Sequence, residues 1–163
     1  MYPNLLDQAL NLLSNPHQSA RDRLLAVCEH LRGAVPHYDW VGFYFRNGRK
    51  EELKLGPYAG DPTDHTLIPF GKGICGQVAL SNQNFVVPDV AAQDNYIACS
   101  LHVKSEIVVP LFLGGENIGQ IDIDSHTPDP FAPEDERLLE GICAGVAQML
   151  EKEGVTDPSA QLD

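Results

Sequence analysis

Two cysteines and three carboxylates in the middle of the chain have types and spacings suited to thiol chemistry. Cys99 stands in Asn95-Tyr-Ile-Ala-Cys-Ser100, and Glu106 opens a β-branched run seven residues later (106 − 99). Upstream, Gly71-Lys-Gly-Ile-Cys-Gly76 carries Cys75, and downstream Gly119-Gln-Ile-Asp-Ile-Asp124 carries Asp122 and Asp124. Residues two apart on a strand share a face, so both aspartates project one way while Ile121 and Ile123 project the other. Adjacent carboxylates repel, which raises one pKa unless a cation such as a ligand ammonium shares the site. For this strand alone, a solvated outer face explains the aspartates equally well; Glu106 on the next strand tips the reading toward a site. Cys99 lies outside any periodic apolar stripe, and as a thiolate it could attack an electrophilic sulfur, carbon or peroxide. Cys75 is 24 residues earlier (99 − 75). It could resolve the product as a disulfide if the fold brings the two Cα atoms within roughly 4.4–6.8 Å. It also falls near the expected start of a short helix, where the dipole favours thiolate. Thiol redox chemistry on a small molecule accounts for this set.

Other chemistries fit less well. Gly71-Lys-Gly73 lacks the spacing of a phosphate-binding loop, and no dinucleotide fingerprint is present, so no cofactor is expected. Four cysteines without a Cys-x-x-Cys pair make neither a disulfide framework nor a structural zinc site, so no metal is expected. The net charge of −12 argues against nucleic acid or an anionic membrane as partner. No charged-then-apolar leader and no apolar run of about 18 residues is seen, which reads as a cytoplasmic protein.

The elements that must hold these residues can be read from periodicity. At 163 residues the chain suits one domain with one well-buried core. Residues 4–13 carry an i, i+3, i+4, i+7 apolar stripe, and Ser19 caps a second helix to about Leu31 whose inner face includes Cys28. Trp40-Val-Gly-Phe-Tyr-Phe45 alternates as a strand, Asn47-Gly48 turns it, and Glu52–Leu55 returns. Residues 56–65 read as a polar loop and Leu67–Phe70 as an edge strand. Ile74–Leu80 is a short helix, Phe85–Val87 a strand, and 88–100 a long loop holding Cys99. Glu106–Phe112 and Ile118–Ile123 form a hairpin at Gly114-Gly115, and Pro133 opens a final helix to about Lys152 with Cys143 in its apolar stripe. Cys28 and Cys143 therefore read as core. The order implies an α+β class, a largely antiparallel sheet with helices grouped on one face. The domain is expected over residues 1–152, followed by a flexible acidic tail at 153–163.

Several of these stretches together resemble one family. Gly73-Ile-Cys-Gly76, Pro88-Asp-Val90, Ile97-Ala-Cys99, Ser105-Glu-Ile-Val-Val-Pro110 and Ile118-Gly-Gln-Ile-Asp-Ile-Asp-Ser125 are similar to the GAF-domain free methionine-R-sulfoxide reductases. Trp40 with Gly42-Phe-Tyr44 fits that family's early aromatic strand. The resemblance runs from about residue 38 to the final helix and implies a GAF-like antiparallel sheet flanked by N- and C-terminal helices. It implies reduction of free methionine-R-sulfoxide, with Cys99 as the nucleophile on sulfur. Glu106, Asp122 and Asp124 would contact the sulfoxide and the substrate amine, and one of the three would protonate the departing oxygen. Trp40 and Tyr44 would wall the thioether end. Cys75 would condense with the Cys99 sulfenic acid into a disulfide, which a thioredoxin-like dithiol would reduce. GAF domains often pair through terminal helices, so a homodimer is compatible with the resemblance. Two departures stand out: His65 where many members carry a third cysteine, and Leu101-His-Val-Lys104 where smaller polar residues are usual. The competing reading is a GAF module that binds or senses a small ligand without turnover.

Overall fold

The computed structural model describes residues 2–96 and 102–162. Its elements in chain order are α1 (Tyr2–Leu13), α2 (Ala20–Ala34), β1 (Trp40–Arg46), β2 (Glu52–Ala59), β3 (Leu67–Pro69), α3 (Gly73–Ser81), β4 (Phe85–Val87), β5 (Ser105–Leu113), β6 (Glu116–Ser125), α4 (Pro133–Lys152) and α5 (Pro158–Gln161). The six strands make one antiparallel sheet in the order β3-β2-β1-β6-β5-β4. This is the expected α+β architecture.

Local chemistry sets the element ends. Ser19 Oγ accepts from Asp22 N–H at 3.1 Å and caps α2. Pro133 sits in the first turn of α4, and Asp135 reaches back to accept from Ala132 N–H at 2.7 Å. Gly114 and Gly115 turn the β5–β6 hairpin with φ of 60° and 80°, a conformation that glycine adopts without a Cβ clash.

The sheet divides the interior in two. On one face Val41, Phe43, Phe45, Ile107, Val109, Ile121 and Ile123 pack under α1, α2 and α4, and Cys28 and Cys143 are buried there as expected. On the other face Trp40, Tyr44 and Val108 meet α3, Val87 at the end of β4, and Val90 and Val103 from the segment between β4 and β5. The single period of two along β1, β5 and β6 therefore feeds both compartments.

Two expectations need correction. The return strand does not stop at Leu55: β2 continues to Ala59, because a register shift between Gly42 and Tyr44 lets Tyr58 and Ala59 keep pairing with β1. The terminal segment expected to be loose is packed: Val155, Pro158 and Leu162 are buried, and α5 lies against β1 and β2. Three apolar side chains give it enough area to dock despite its acidic residues. No helix among the described residues is long and apolar enough to cross a membrane.

Candidate active site

Register aligns the candidate residues across the sheet. Trp40 pairs with Asp124, Asp124 with Glu106, and Glu106 with Val87, which makes one row over four strands. The next row runs Tyr58, Gly42, Asp122, Val108 and Phe85, and a third joins Tyr44, Gln120 and Pro110. All three carboxyls thus stand on the face away from the long helices, each buried at 5% exposure or less. They lie under α3, whose third residue is Cys75.

Contacts tie the helix to the sheet at this point. Cys75 Sγ lies 3.7 Å from Glu106 Oε2, within reach of a thiol hydrogen bond to that carboxyl. Gln120 Nε2 donates to the Cys75 carbonyl at 3.1 Å, anchoring the first turn of α3 on β6. Asn95 bridges the preceding turn, donating from Nδ2 to the Gly71 carbonyl at 2.6 Å and accepting from Gly73 N–H at 3.2 Å. The segment that leads into residues 97–101 is thereby pinned to the start of α3. Val103, just beyond, is buried in the same compartment as Cys75 and Trp40. Cys99 itself lies outside the described residues.

Aromatic rings close one side. Trp40 stacks on Tyr58 with centroids 5.3 Å apart and tilts against Tyr44 at 6.3 Å. Trp40 Nε1–H donates to the Asp61 carbonyl at 3.1 Å, and Tyr44 Oη–H donates to the His65 carbonyl at 2.9 Å. The loop 60–66 is therefore held to β1 from both rings. His65 lines the same small cavity as Cys75, Glu106 and Asp122, of about 10 Å³. A second cavity, of about 30 Å³, adjoins Trp40 and Asp124. Much larger cavities lie elsewhere, one of about 610 Å³ between Asn82–Asn84 and α4 and one of about 630 Å³ beside Arg46 and Asp157, and neither borders Glu106, Asp122 or Asp124; donor chemistry rather than size marks the site.

Burial governs the electrostatics. Desolvation raises the Asp122 carboxyl above its ordinary range, although hydrogen bonds to Glu106 and Cys75 and the His65 charge pull it back. Asp124 is raised well above by burial and then by the Asp122 charge, against a hydrogen bond with Glu106. Among the described residues, Asp122 Oδ1, Asp124 Oδ1 and Gln120 Oε1 find no hydrogen-bond partner. Such a pocket suits a group that brings donors and positive charge.

The thiolate expected at Cys75 is corrected by the same physics. Burial pushes this thiol well above its ordinary value, reinforced by the charges of Asp122, Glu106 and Asp124 and a hydrogen bond to Asp122. A helix N-terminus contributes about 0.3–1 kcal/mol. Full burial can shift a group by about 3–5 pKa units, so desolvation wins. Cys75 is a protonated thiol donating toward carboxyls.

Sequence reasoning brought Cys75, Glu106, Asp122, Asp124, Trp40 and Tyr44 forward, and these six share one compartment. Tyr58 and Gln120 were missed. Gln120 carries a legible signal, since 120, 122 and 124 share strand parity. Tyr58 carries none until the β2 register is known.

The family is decided by comparison with known proteins. A GAF domain model matches residues 17–151. The chain belongs to the GAF domain family. Within it, this GAF domain is 38% identical to Protein YtsP of Bacillus subtilis over 65% of its own length and 64% of that protein's. It is 40% identical to the free methionine-R-sulfoxide reductase of Saccharomyces cerevisiae over 64% of its own length and 58% of that protein's. The matches thus span 64% and 58% of these two curated relatives. An X-ray structure of free methionine-R-sulfoxide reductase from Neisseria meningitidis in complex with its substrate superposes with a TM-score of 0.87 at 35% identity, covering 94% of this GAF domain and 92% of that chain.

Proposed function

We propose that this GAF domain reduces free methionine-R-sulfoxide to methionine. The observation that carries the reading is the row Trp40–Asp124–Glu106 with the Cys75 thiol 3.7 Å from Glu106, in a chain similar to a reductase solved with its substrate. In this reading the substrate ammonium is the cation that the unpartnered oxygens of Asp122 and Asp124 lack, and the thioether end packs on Trp40, Tyr44 and Tyr58.

The chemistry assigned to the residues balances. The Cys99 sulfur attacks the sulfoxide sulfur, and a buried carboxyl among Glu106, Asp122 and Asp124 protonates the oxygen. Methionine leaves reduced, and Cys99 retains the oxygen as a sulfenic acid. The Cys75 thiol attacks that sulfur, water departs, and a Cys75–Cys99 disulfide remains. Reduction by a thioredoxin-like dithiol restores both thiols. Chain length supports the pairing: four residues separate Asn95 from Cys99 (99 − 95), a span of at most about 14 Å. Asn95 is bonded to the turn that begins α3. His65 stands beside Cys75 and Asp122 where many relatives of this type have a thiol, so the proposed cycle uses two cysteines.

The test measures methionine formed from resolved R- and S-sulfoxides. Wild type is expected to turn over the R form with dithiothreitol, Cys99→Ser neither form, and Cys75→Ser the R form with dithiothreitol but not with thioredoxin. Tight binding without turnover by wild type would make the domain a small-ligand sensor instead.

A further inference from the structure

Cys75, Glu106 and Asp122 bring a thiol and two carboxyls together from α3, β5 and β6, all buried, with their donor atoms within 4.8 Å of one another. The informative distance is Cys75 Sγ to Glu106 Oε2, 3.7 Å. Around a tetrahedral zinc ion, with Zn–S about 2.3 Å and Zn–O about 2.1 Å, the S···O edge is about 3.6 Å. The pair already stands at that separation without rearrangement. Asp122 Oδ1, on a side chain 2% exposed, has no hydrogen-bond partner among the described residues. The cavity bordered by these three and by His65, about 10 Å³, fits one water or one ion. Mixed sulfur and oxygen donors favour zinc over magnesium or calcium, which prefer all-oxygen shells.

We propose that the reduced, substrate-free protein binds one Zn²⁺ through Cys75 Sγ, Glu106 and Asp122, with the fourth position facing His65. On binding, the Cys75 S–H bond breaks and an S–Zn bond forms, and the thiol proton passes to solvent together with any proton held by Glu106 or Asp122; no electron is transferred. The ion supplies the positive charge that this buried set of acidic groups lacks. It binds independently of any sulfoxide turnover. Under the reductase reading it also withholds the resolving thiol and two of the substrate's acids, and so acts as an inhibitor.

Cobalt(II) serves as the probe, added to the full reduced chain stripped of metal. One equivalent is expected to produce a thiolate-to-metal charge-transfer band, which Zn²⁺ then abolishes by displacement. Cys75→Ser is expected to lose the band and to weaken Zn²⁺ binding at least tenfold in calorimetry. Glu106→Gln, nearly isosteric, is expected to weaken binding while keeping the band, and Cys143→Ser to leave both unchanged. No band in wild type, or a band that survives in Cys75→Ser, would overturn the assignment. Because band and heat are read without substrate, failure of the reductase reading would leave this result intact.

Discussion

Gly42→Ala is the sharpest probe of how the site face is packed. Gly42 pairs with Tyr58 on one side and Asp122 on the other, and its missing side chain would project toward the indole of Trp40. A Cβ at this position would meet the far ring of Trp40, 2.7 Å from Cζ3, and would lie 2.8 Å from Tyr58 Cβ. Tyr58 Cβ is held by strand pairing, so relief requires the indole to leave its stack and the β1–β2 pairing to open locally. Overpacking costs about 1–3 kcal/mol, and losing an aromatic pair costs about 0.5–1.5 kcal/mol more. The sum is roughly 1.5–4.5 kcal/mol. With a urea m-value near 2 kcal/mol/M, the unfolding midpoint should fall by roughly 1–2 M. Urea titration followed by circular dichroism gives the midpoint, and tryptophan emission of the native variant reports the displaced ring. A midpoint indistinguishable from wild type, with unchanged emission, would refute the packing argument.

Two further predictions concern the other compartment. Asp135 accepts from Tyr38 Oη–H at 2.5 Å and from Ala132 N–H at 2.7 Å while 1% exposed, so Asp135→Ala strands two donors. The expected cost is about 2–3 kcal/mol, a fall in Tm of roughly 4–12 °C by calorimetry; a fall under about one degree would contradict it. Burial pushes the Cys143 thiol up to about 12 and raises Cys28 further. In a Cys75→Ser/Cys99→Ser background, iodoacetamide at pH 8 should therefore modify neither remaining cysteine until denaturant is added; labelling at the rate of a free peptide thiol would show that these side chains are not core.

Much of this architecture was legible because it depends on period and punctuation. Ile121 and Ile123 against Asp122 and Asp124 predicted the two faces of β6, and the glycine pair at 114–115 predicted its hairpin. Both are local, and the ladder preserved them. What failed depended on neighbours. The end of β2 is set by pairing with β1 across a register shift, which no feature of residues 56–59 announces. Cys75 was misjudged because the dipole is a property of its own helix, whereas burial and three opposing carboxyls come from β5 and β6. Tyr58 entered the site only through that same register. The acid cluster was found by spacing, yet how its protons are shared among three buried groups is a property of the assembled pocket. Cys99, which anchored the sequence argument, lies outside the described residues, so its role rests on resemblance and chain reach.

Trp40 is the chain's one tryptophan, and it stands opposite Asp124, stacked on Tyr58 and bonded to the carbonyl of Asp61. Every photon selectively drawn from tryptophan therefore originates within one side chain's width of the acid row and its bordering loop. The unmodified protein carries its own optical gauge: ligand arrival, a change of charge on the acids and displacement of the loop can all be timed by stopped flow without a label. Events confined to the helix-backed core, on the far side of the sheet, stay dark in the same experiment.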